Sequence, residues 1–150
     1  MARVALLLAA LWWGGISGLS FVAVPTLFAK LGAPAVAGPV AAQLFSYQCR
    51  AGVLIGLVLL VLLQRLRQRE LGADGAPTPG ACGLTLTIGA VLLAMVLALV
   101  QEFGVAPRIL TARATGASLP FWHGLGSVLV LGQWLCAGTI LWRVAGRFRG

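Results

Sequence analysis

Charge is what this sequence has least of. Charged side chains make up 9% of its 150 residues, and only three of them are acidic. A soluble domain of this length covers its surface with far more charge, so a soluble fold is excluded. Histidine occurs once, as His123, which rules out a bis-histidine haem. A conventional transition-metal site would need help from soft ligands such as Cys49 or Met95, and no spacing demands it. The cysteines Cys49, Cys82 and Cys136 stand far apart, form no C-x-x-C, and read as small buried residues rather than a disulfide framework.

Catalytic signatures are missing as well. There is no Walker loop, no G-x-G-x-x-G, no H-E-x-x-H and no G-x-S-x-G. Ser127 follows His123 by four residues and shares its helical face. Two residues of one helix do not make an attack geometry, so no catalytic residue is assigned. The net charge of +8 does not point to nucleic acid, because the arginines stand at the ends of apolar runs without interleaved aromatics.

What the chain does have is apolar length. Residues 6–29 carry no charge between Arg3 and Lys30, long enough to cross a bilayer, for which about 20 residues suffice. A cleaved signal peptide is the competing reading of that run, but it continues through Phe21–Phe28 without a small-x-small site. Three further runs follow, separated by the Lys30–Pro39 connection, the Gly72–Gly80 turn, and a segment punctuated by Pro107, Gly116 and Pro120. Within that last segment a short interfacial helix is an option. The pattern predicts an all-α membrane protein, a single four-helix transmembrane bundle with spans near 4–28, 39–67, 81–103 and 120–144. The second run, if helical to Arg69, is about 45 Å long at 1.5 Å per residue. It should therefore tilt or project from the membrane.

Four spans put the termini and the 64–80 loop on one side, with Arg3, Arg65, Arg67, Arg69, Arg143, Arg147 and Arg149. Lys30, Arg108 and Arg113 fall on the other. The positive-inside rule then predicts both termini in the cytoplasm. Trp12, Trp13, Trp122 and Trp142 are candidate interfacial anchors, with lipid-facing bulk the alternative for Trp12 and Trp13. Gly14 with Gly18, and Gly52 with Gly56, repeat a G-x-x-x-G spacing that lets helices approach closely. Helices 1 and 2 are expected to cross at these glycines.

The candidate binding residues are the polar groups that lie in or beside the spans. Arg50 shares a helical stripe with Gln43 and Tyr47. An arginine inside a membrane costs about 2.5–3.5 kcal/mol on insertion scales, so it is snorkelling, paired or functional. Glu102 is the only carboxylate near a span. The expected cluster is an Arg50–Glu102 pair in the outer half, with His123 close by and Tyr47 and Gln43 filling the remaining hydrogen bonds.

The residues Trp13-Gly14, Phe21, Pro25-Thr26-Leu27-Phe28, Ala37-Gly38 and Leu44-Phe45, then Pro107-Arg108 and Phe121-Trp122-His123-Gly124-Leu125-Gly126-Ser127, resemble the transmembrane protein 205-like family (domain of unknown function 4149). The likeness runs from about Leu6 to Trp142. It implies a four-helix membrane protein and assigns no reaction to it. A more distant likeness is to the copper-resistance D group and haem-linked protoporphyrinogen oxidases, which rely on histidines in more than one helix. The leading expectation is a small inner-membrane protein acting as an accessory or structural subunit. The alternative is a carrier or binding protein for a small solute or metal ion through the outer-facing polar cluster, and a haem- or copper-linked redox protein ranks third. The expected partners are the lipid bilayer and a membrane protein or second copy, with no nucleic acid and no cofactor.

Overall fold

A computed structural model describes residues 1–72, 75–116 and 118–148, apart from the side chains of residue 34 and residues 112–115. Arg149 and the Arg113 side chain, both used in the charge tally above, lie outside the described residues. Among the described residues, six α-helices and two π-helical segments make four spans, each long and apolar enough to cross a membrane. The first span is α1 (Ala2–Gly18), a π segment (Leu19–Ala23) and α2 (Val24–Leu31). The second is α3 (Pro34–Arg69) alone. The third joins α4 (Pro79–Leu99), a π segment (Val100–Val105) and α5 (Ala106–Thr115), and the fourth is α6 (Leu119–Gly146).

Proline explains the two π segments. Pro25 and Pro107 are each the second residue of the helix that follows one. A proline lacks its N–H and clashes with the carbonyl four residues back, and one extra residue in the preceding turn relieves both problems. The option of a separate short helix in the segment holding Pro107 is not what is found: α5 continues the third span. The second span also begins earlier than expected. Ala33 is extended, Pro34 opens the helix, and Pro39 is carried inside it. Gly32 ends α2 with φ +63°, a left-handed conformation that suits glycine. Thr78 caps α4, its Oγ1 accepting from the Ala81 N–H at 3.2 Å.

The spans pack in a ring, with α1 against α3 and α6, and α4 against α3 and α6. Short connections between antiparallel helices lead to this arrangement. Each span turns a stripe of buried residues inward. On α1 it is Ala5, Ala9, Trp12 and Ile16; on α6 it is Gly126, Leu129, Gln133, Ala137, Ile140 and Val144. The spacing of three and four is the helical repeat. At the end that holds both termini, Arg143 donates from Nε to Thr87 Oγ1 (3.0 Å) and from Nη2 to the Gly83 carbonyl (2.9 Å). Arg147 pairs there with Glu70.

The expected glycine crossing is corrected. Gly14 and Gly18 are exposed, and a Cβ on either would meet nothing within 4 Å. Gly52 and Gly56 do face inward, but their partners are large. A Cβ on Gly52 would lie 2.7 Å from Trp12 Nε1, and one on Gly56 would lie 2.7 Å from Met95 Sδ. The second span uses these glycines to admit an indole and a thioether, not another backbone. Trp12, 2% exposed, is thus a core residue and neither an anchor nor lipid-facing bulk. Trp142 is exposed, and Trp122 lies under the Arg108 guanidinium at 4.7 Å. Cys49 is buried as expected, Cys136 is half-buried, and Cys82 is exposed.

Candidate functional site

A layer of three glutamines crosses the bundle at mid-height. Gln48 Nε2 on the second span donates to Gln133 Oε1 on the fourth (3.3 Å). Gln133 Nε2 donates in turn to Gln101 Oε1 on the third (3.0 Å). Gln133 is 0% exposed. Beside this layer, Trp134 Nε1 donates to Ser17 Oγ on the first span at 2.9 Å. Ser17 and Gln133 each stand about 20 Å from the nearer ends of their own spans at 1.5 Å per residue, which sets the layer near the middle of the bundle.

Glu102 follows Gln101 in the π segment of the third span. Its Oε1 accepts from Ser46 Oγ (2.6 Å), Arg50 Nε (3.1 Å) and Arg50 Nη2 (3.0 Å). The Glu102 side chain is 10% exposed, whereas that of Arg50 is 67% exposed. The pair therefore stands at the edge of the bundle, carboxylate inward and guanidinium outward. All the bonds to Glu102 end on Oε1, and among the described residues Oε2 accepts none.

From this polar layer a cleft of about 610 Å³ runs toward the end opposite the termini. Ser20, Ser46, Cys49, Gln101 and Glu102 line its deep part, and Phe28, Ile109, Leu119 and His123 line it farther out. Phe21 and Trp134 meet edge to face at its deep end, ring centroids 6.0 Å apart. The volume falls within the range of about 300–1,000 Å³ typical of small-molecule sites. Ser20 Oγ, in the first π segment, is buried and bonds to nothing among the described residues. The cleft exists because α2 packs on α3 rather than on α6, so the first and fourth spans diverge past the π segment.

The expected cluster thus splits. The Arg50–Glu102 pair is present. Tyr47 does not join it: the Tyr47 hydroxyl accepts from Gln43 Nε2 at 2.9 Å, on the exposed face of α3. Ser46, one residue earlier, takes the place beside Glu102 that was expected of Tyr47 and Gln43. His123 is exposed and bonds to neither member of the pair. It precedes Gln133 by ten residues, about 15 Å along α6, and so stands toward the mouth of the cleft while Glu102 stands at the floor. Among the described residues, no three of His, Cys, Asp and Glu gather as metal ligands would.

Gln48, Gln101, Gln133 and Ser46 were not singled out by sequence reasoning. A signal was available: uncharged polar residues inside membrane spans turn toward the bundle interior, as charged ones do. A family profile described as "Domain of unknown function (DUF4149)" matches residues 7–118. The match takes in Ser46, Arg50 and Glu102. No curated protein and no solved structure matches the chain.

Proposed function

Since the chain belongs to the DUF4149 family, whose description names no activity, its role has to be read from its own site; we propose that it is a membrane binding protein or carrier for a small solute. The observation that carries this reading is the cleft, which ends on a polar floor at half-height of the bundle. Carriers place substrate sites near the membrane midplane, beside helices whose regular turn is interrupted. Both π segments adjoin this floor. Ionisable groups in a span are costly, and a carboxylate oxygen on the cleft wall without a partner among the described residues favours a ligand there. No reaction is proposed for it.

A second reading, an accessory subunit, draws on the exposed Gly14, Gly15 and Gly18 of α1, a surface on which a partner helix fits closely. Within its family we place the chain with the transmembrane protein 205-like members. We also place it in a bacterial inner membrane with both termini cytoplasmic, following its arginine distribution. The cleft then opens on the outer side.

Native mass spectrometry of protein extracted from its own membrane tests the binding reading. Wild type should carry an adduct of defined mass, and Ser127→Phe, which puts a ring into the cleft, should lose it. A folded wild-type protein without any adduct that Ser127→Phe removes would leave the accessory reading in possession.

A further inference from the structure

Resting on the binding reading above, we infer that the ligand is an uncharged, largely apolar molecule bearing one hydrogen-bond donor, a lipophilic alcohol or phenol, and that it enters sideways from the lipid. The route follows from the divergence of the first and fourth spans. Phe21, on one flank of the cleft beside its deep end, is 62% exposed, and Leu131 on the other flank is 50% exposed. Both belong to spans long enough to cross a bilayer and stand near their middle, so this flank faces hydrocarbon. A charged solute would lose its hydration on that path, whereas an apolar body would not.

The donor requirement follows from the floor. Glu102 Oε2 is an acceptor with no partner among the described residues, on a side chain that lines the cleft. Arg50 already balances the charge, so the site asks for a donor rather than a cation. Ser20 Oγ, buried and without a partner among the described residues, can receive or return a second hydrogen bond. A ligand carboxylate would face Glu102 as a like charge and is disfavoured. The rings of Phe21 and Trp134 supply flat apolar walls beside the floor.

Three probes with one body separate these demands: 1-naphthol, naphthalene and 1-naphthoate. Binding is measured by saturation-transfer NMR on the full chain in lipid nanodiscs, with empty nanodiscs subtracted. Wild type should bind 1-naphthol saturably, naphthalene about tenfold more weakly, and naphthoate not at all, as loss of one charge-assisted hydrogen bond implies. Glu102→Gln weakens that acceptor and should bring naphthol close to naphthalene. Ser127→Phe should abolish both, since Ser127 bonds only to the His123 carbonyl of its own helix and the variant keeps its fold. Equal binding of naphthol and naphthalene to wild type, preferential binding of naphthoate, or a naphthol preference unchanged in Glu102→Gln would each overturn the proposal. Equal uptake by wild type and Ser127→Phe means partition into lipid, which overturns it too. An adduct from native membrane that Ser127→Phe removes, but that proves to be an ion or a charged solute, overturns this inference and leaves the binding reading standing.

Discussion

The two halves of the bundle are made of the same apolar helices, yet one is packed solid and the other is left open. In the half that holds the termini, Ala5, Ala9, Ala94 and Ala137 are fully buried, with Leu59, Leu63, Ile140 and Val144 filling the space between them. Small residues let backbones approach closely, which is how helices gain contact in lipid, where no hydrophobic drive between them exists. In the other half, Pro25 and Pro107 have turned parts of two spans into π segments, α2 leans on α3, and a cleft remains. The difference separates two tasks. Close packing holds the fold, and on the binding reading proposed above the half with fewer packing contacts is the one that would admit a ligand.

The strongest way to break this comparison is to overfill the packed half. Gly52→Leu drives a side chain into Trp12 and should destabilise the protein by about 3 kcal/mol, at the upper end for overpacked cores. Gly18→Leu, with nothing within 4 Å of its Cβ, should leave the melting temperature in detergent unchanged. Equal melting of both variants and wild type would remove the distinction between a filled and an unfilled helix face.

Cutting the layer between the halves should have a middling effect. Gln133→Leu removes two interhelical hydrogen bonds, which average about 0.6 kcal/mol each in membranes, so a loss of about 1 kcal/mol is expected. A melting curve identical to wild type would show that the glutamine layer does not couple the three spans.

The smallest effect on stability belongs to the open half. Ser127→Phe puts a ring into the cleft and should change stability by less than about 0.5 kcal/mol, as substitutions away from packed features do. A large fall in melting temperature would mean that the cleft closes in the free protein.

Much of the architecture is legible in run lengths. Residues 120–144 were expected and Leu119–Gly146 is found, because about 20 apolar residues in succession have few other uses. The Arg50–Glu102 pair was legible for a related reason: an arginine in lipid needs an anion, and Glu102 stands next to the third apolar run. Which faces turn inward was not legible. On α4 the buried Leu84, Val91 and Ala98 alternate with exposed Leu86, Leu92 and Leu99, as apolar as the core. A lipid-facing surface carries no polar mark to set it apart from the interior, so a period cannot be read.

The sequence alone determined the number of spans, their approximate limits and the scarcity of ligands for metal or haem, because these depend on which residues are present and how many stand in a row. Tertiary structure decided the rest. It brought Trp12 over Gly52 and left Gly14 and Gly18 bare. It set Ser46 rather than Tyr47 beside Glu102, one residue and so about 100° around the helix. It opened the cleft through the lean of α2 away from α6. Each of these depends on the rotation of a helix about its axis and on its tilt, and both are set by the packing of neighbouring spans rather than by any one span's composition.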